Sequence, residues 1–79
     1  MASDKILDSN FNWGDTVRIK SNAPKRYKPG SLGSICGIRI IDSVEVAKHF
    51  DQLLNSKLYL IEFGDGHALE IPQSFLTTI

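Results

Sequence analysis

Between Tyr59 and Pro72 the chain reads YLIEFGDGHALEIP, two runs of alternating apolar residues around Gly64-Asp65-Gly66. In an extended segment Tyr59, Ile61 and Phe63 share one face, and Leu58, Leu60 and Glu62 share the other. Leu69 and Ile71 resume the apolar pattern after the turn, with Glu70 outside. Asp-Gly is a favoured hairpin dipeptide, because glycine accepts positive φ and aspartate bonds its own backbone. Both faces of the first run are apolar as far as Glu62. This predicts that one side fills a core while the other is covered by the element just before it.

The rest of the chain supplies the partners of this hairpin. Gly14-Asp15 forms a turn feeding Thr16-Val17-Arg18-Ile19-Lys20, where Val17 and Ile19 alternate with polar residues at the period of a half-buried strand. Residues 21–30 form a loop, since Pro24 and the Pro29-Gly30 pair exclude a helix or a central strand. Gly33 and Gly37 flank and interrupt a second strand that continues through Ile38-Arg39-Ile40-Ile41; glycine within a strand marks a bulge or a barrel corner. Ser43 is a preferred N-cap, Glu45 suits the positive end of a helix dipole, and Val46, Ala47, Phe50, Leu53 and Leu54 line one helical face. Asn55 ends that helix. Pro72-Gln73-Ser74 is a single tight helical turn, and Phe75 to Ile79 form a closing strand.

These elements predict a mainly β chain: a small SH3-like barrel of about five strands with one inserted short α-helix at about residues 43–54. Residues 1–12 are expected to be a flexible lead-in and residues 13–79 the barrel, with Phe11 and Trp13 packing on the domain. Glycines 14, 30, 33, 37, 64 and 66 are the expected structural turn positions. With 79 residues there is room for one modest core, worth about 3–5 kcal/mol of net stability. That size favours a binding module or subunit over a stand-alone enzyme.

Nine basic and nine acidic side chains balance to a formal charge of zero, whereas a generic nucleic-acid binder carries a basic excess. Cys36 is the single cysteine, which excludes an internal disulfide and a cysteine metal cage. Its apolar neighbours predict a small buried hydrophobe. No apolar run is long enough to span a membrane, and Met1 to Lys5 lack a signal-peptide pattern. A cytoplasmic location is expected.

The candidate chemistry is sparse. Asp65 and His67 could suggest a base or a metal ligand, but in an extended segment they point to opposite sides. Asp65-Gly66 reads as a hairpin corner, and His49 and His67 as surface residues. There is no nucleophile elbow, no H-E-x-x-H and no phosphate-cradling loop, so no catalytic, cofactor-binding or metal-ligating residue is assigned and no cofactor is expected. Lys25, Arg26 and Lys28 around Tyr27 form a concentrated basic patch. An aromatic with arginine and lysine can grip RNA or an acidic protein surface, and prolines lower the entropy lost on binding. The same residues also make an ordinary solvated loop.

The segments FNWGDTVRI, KPGSLGSICGIR and YLIEFGDGHALEIPQSFL resemble a bacterial family, the polymorphic-toxin immunity proteins of group 31. The resemblance runs from Phe11 to Leu76 and rests on Gly14-Asp15, Pro29-Gly30, Gly33, Gly37, Tyr59, Phe63, Asp65-Gly66, Pro72 and Leu76. It implies a non-enzymatic, cytosolic protein that binds a cognate toxin domain and blocks it, and it carries over no catalytic residue. The contact surface expected from the residues themselves is Lys25, Arg26, Tyr27 and Lys28, with Trp13 beside them and the acids Glu62, Asp65 and Glu70 of the hairpin. Two rivals stay open: an RNA- or DNA-binding SH3-like module using the same loop, and an accessory barrel subunit of a larger enzyme complex. Exposed Trp13, Leu58 and Leu60 would favour the subunit.

Overall fold

The computed structural model describes residues 11–79. In chain order it contains β1 (Thr16–Ile19), β2 (Leu32–Ile40), α1 (Val44–Phe50), β3 (Lys57–Phe63), β4 (Ala68–Pro72) and β5 (Leu76–Thr78). Single turns of 3-10 helix occur at Lys25–Tyr27 and Gln73–Phe75. The strands make one antiparallel sheet in the order β4-β3-β2-β1-β5, and the turn at Gln73–Phe75 joins its two edge strands. The chain is therefore mainly β, a small barrel-like domain with one short helix. Among the described residues the expected closure is made by that turn and not by pairing of β4 with β5.

Alternation dictates which side chains go in. Val17 and Ile19 of β1, Ile35 of β2, Tyr59, Ile61 and Phe63 of β3, Ile71 of β4 and Leu76 of β5 form one core, joined by Phe11, Ala23 and Tyr27. Burying a side chain of this size contributes about 1.5–3 kcal/mol. Of the two aromatics expected to pack on the domain Phe11 does, its ring meeting Tyr59 edge-on at 5.5 Å, whereas Trp13 stays exposed. The remainder of the expected lead-in, residues 1–10, lies outside the described residues.

Strand β2 slips by one residue against β3, with Ile35 opposite Ile61 but Gly37 opposite Leu60. Cys36 is the extra residue. Such a bulge reverses the inside–outside parity of everything after it. Ile38 thereby joins Tyr59 on the core side, and Arg39 turns outward beside Leu58. Cys36, expected to be buried, is only half-buried because the bulge takes it out of the ladder. Gly33 is required by close approach, since a Cβ there would collide with the Ile61 side chain and crowd the Glu62 carbonyl.

Helix α1 covers the other face of β3. Ile41, Ala47 and Leu58 form a second small core with Val46 and Phe50 against it, as the two apolar faces of β3 require. Ser43 caps the helix, its Oγ accepting the Val46 N–H at 3.2 Å. The expected helix over 43–54 is too long. It stops at Phe50 because Asp51 adopts a left-handed conformation (φ 55°), with its N–H bonded back to the Ala47 and Lys48 carbonyls. Asn55 N–H then bonds the Ile41 carbonyl at 2.8 Å. Leu53 and Leu54 follow this turn outward instead of continuing the helical face.

Candidate partner-binding surface

The basic loop is an ordered structure. Its ends are tied by Ile19 N–H to the Ser31 carbonyl at 2.9 Å and Gly30 N–H to the Ile19 carbonyl at 2.8 Å. Pro24 precedes the 3-10 turn Lys25–Tyr27, closed by Tyr27 N–H to the Pro24 carbonyl and Lys28 N–H to the Lys25 carbonyl. The prolines exclude an α-helix as expected, but they accommodate this single turn. Lys28 ends it at a left-handed φ of 59°.

Tyr27 anchors the loop from within. It is only 5 % exposed and its ring lies 5.7 Å from that of Phe75. The expectation that Tyr27 is a surface anchor is thus corrected: a tyrosine here fills the end of the core. Arg26 covers its outer side, with the guanidinium carbon 4.7 Å from the ring centroid and Nη2 donating to the Tyr27 hydroxyl at 3.4 Å.

Lys28 reaches across to the β3–β4 turn. Its ammonium donates to Asp65 Oδ2 at 3.2 Å and lies 4.8 Å from the centre of the Phe63 ring. Asp65 Oδ1 accepts the His67 N–H at 3.0 Å, so the aspartate does bond its own turn. Gly66 takes φ +88°, as an Asp-Gly corner needs. The turn also brings together what an extended strand would separate: His67 Nδ1 lies 3.1 Å from Asp65 Oδ2. The His67 backbone, the His67 ring and the Lys28 ammonium hold the Asp65 carboxyl well below the usual carboxylate range. Among the described residues no three His, Cys, Asp or Glu side chains converge as a metal site.

The other acids divide. Glu70 is engaged by Arg39 in a two-pronged pair at 2.6 and 2.9 Å that links β2 to β4 across β3. This pair raises the Arg39 pKa, chiefly through the hydrogen bond to Glu70. Glu62 stays exposed. Gly64 has neither a left-handed φ nor a close neighbour, so it is a turn residue that the structure does not require to be glycine. Trp13 is 68 % exposed, but it precedes β1 whereas the basic loop follows it, so the strand separates the two. Leu58 is buried beneath α1 and Leu60 is half-buried.

The surface that remains is cationic. Lys25 and Arg26 are exposed at the loop, and Arg18 joins them by donating to the Gly30 carbonyl at 3.0 Å. Arg18 was not among the expected contact residues. Its signal in the sequence is charge order: Arg18, Lys20, Lys25, Arg26, Lys28 and Arg39 are the charged residues between Thr16 and Ile41, and every one is cationic. The neutral total conceals this segregation. No protein-family model matches the chain, and neither a curated protein nor a solved structure matches it. Among the described residues no helix is long and apolar enough to cross a membrane.

Proposed function

We propose that this chain is a non-enzymatic protein-binding module that presents Lys25, Arg26 and Arg18 to an acidic surface of its partner. Its more specific form is a cytoplasmic bacterial immunity protein that binds and neutralises a cognate toxin domain by covering it. The observation that carries the reading is the pre-ordering of the basic loop by buried Tyr27, by the turn Lys25–Tyr27 and by the Lys28–Asp65 bridge. A loop already held in place loses little entropy on association, so its cations contribute more of their interaction to affinity. Clustered charge also speeds encounter with an oppositely charged surface. The specific form is supported by the resemblance of the three segments quoted above. The test is capture from a lysate of the source cell with and without nuclease: one stoichiometric, nuclease-insensitive protein supports the reading.

A second reading is favoured by the same charge order. A run of cations without acids suits phosphate backbones, so an RNA- or DNA-binding module is the alternative. Binding that collapses steeply with added salt, and capture that disappears with nuclease, would select it.

A further inference from the structure

We propose that the chain self-associates as a two-fold dimer through the face formed by α1 and the turn after it. Leu53 is 81 % exposed, Val44 57 % and Leu54 48 %. These three, with Ala47, line a shallow hollow of ≈ 550 Å³ rimmed by Lys48 and Asp51. Local rearrangement does not bury the leucines. Asn55 N–H is tied to the Ile41 carbonyl, Ser56 donates from its N–H and hydroxyl to the Leu53 carbonyl, and Gln52 N–H bonds Ala47. The apolar side chains are therefore held outward by the backbone.

Charge complementarity identifies a second copy as the occupant. Lys48 and Asp51 stand on the same rim with opposite signs, and among the described residues neither is ion-paired. In a two-fold contact the same patch meets itself, residue i against j and j against i. Antiparallel apposition of two α1 helices sets Lys48 of each copy against Asp51 of the other, and brings Leu53 and Leu54 of each over the Val44 end of the other. The face thus satisfies its own charges and covers its own leucines. It is separate from the cationic loop, so the dimer leaves Lys25 and Arg26 free for the proposed partner.

The test is sedimentation velocity of the full chain across a concentration series, alone and with variants. The native chain is expected to form a dimer that dissociates on dilution. Leu53→Asp should leave a monomer whose thermal midpoint equals that of the native chain diluted until it is monomeric, because in the single chain the side chain is already in solvent. Lys48→Asp should weaken the dimer severalfold, and adding Asp51→Lys to it should restore association. A lysine can occupy a left-handed position in this fold, as Lys28 does at φ 59°. A native chain that stays monomeric throughout overturns the proposal. So does a dimer indifferent to Leu53→Asp, or an apolar face that is covered only when a different protein is added.

Discussion

Lys28 Nζ meets Asp65 Oδ2 at 3.2 Å across 37 residues of sequence. This one contact couples the cationic loop before β2 to the corner between β3 and β4, and makes the Asp-Gly turn part of the surface that holds the loop. The corner is structural, as its sequence suggests, yet its aspartate also positions the neighbouring basic residues.

The pair gives a pH dependence with a defined sign. Asp65 has its carboxyl pKa depressed in the folded state, first by the His67 backbone N–H and then by the His67 ring and Lys28. Such a group adds stability above its unfolded value near 3.8 and loses that stability as the pH falls toward the folded value. The thermal midpoint should drop more steeply below about pH 4 in the native chain than in Asp65→Asn, whose amide oxygen still accepts the His67 N–H. The carboxylate is half-exposed, so solvent screening keeps the difference small. Parallel acid limbs in the two proteins would contradict the assignment.

Tyr27 separates a core role from a contact role. Tyr27→Ala should cost about 3–5 kcal/mol, enough to leave so small a domain largely unfolded by circular dichroism. Tyr27→Phe should retain the midpoint almost unchanged, since the hydroxyl's partner is the exposed Arg26 at 3.4 Å. If Tyr27→Ala folded normally and lost only binding, the ring would belong to the interface after all.

The glycines are not equivalent. Gly33→Ala drives a methyl group into Ile61 and the Glu62 carbonyl, and overpacking of this kind costs about 1–3 kcal/mol. Gly66→Val puts a β-branched residue at φ +88°, a strained position that costs about 1–3 kcal/mol. Gly64→Ala should be near neutral, having open space and no left-handed φ. Chemical denaturation of the three variants ranks them directly, and a costly Gly64→Ala would contradict the turn geometry described.

The sheet was legible because its signals are local and periodic. Val17 and Ile19 in β1, the Tyr59–Phe63 alternation and Asp65-Gly66 each encode their own element, and Ser43 encodes the helix start. The helix end was not legible. Leu53 and Leu54 continue the helical period, but the left-handed Asp51 and the Asn55–Ile41 hydrogen bond redirect the chain. The burial of Tyr27 is hidden for a related reason: one aromatic in a polar loop has no periodicity, and its ring packs against Phe75, far away in sequence. The ion pairs Lys28–Asp65 and Arg39–Glu70 likewise join distant segments. Arg39 reaches the outer face only because the bulge at Cys36 reverses the parity of β2.

The cationic edge can be altered while every core side chain stays in place. Lys25→Glu and Arg26→Glu replace exposed side chains, and exposed substitutions usually change stability by no more than about 0.5 kcal/mol. Arg26→Glu also gives up the guanidinium over the Tyr27 ring, a contact worth about 0.5–1 kcal/mol at an exposed site. The double variant should therefore stay folded with a slightly lowered thermal midpoint, and loss of binding by the folded variant can be assigned to the surface itself.

The most direct measurement is capture of the partner from source-cell lysate by the native chain and by this Lys25→Glu, Arg26→Glu double variant, each with nuclease present. The native chain should capture one stoichiometric protein and the folded double variant none. Equal capture by both would contradict the claim that this loop is the partner-binding surface.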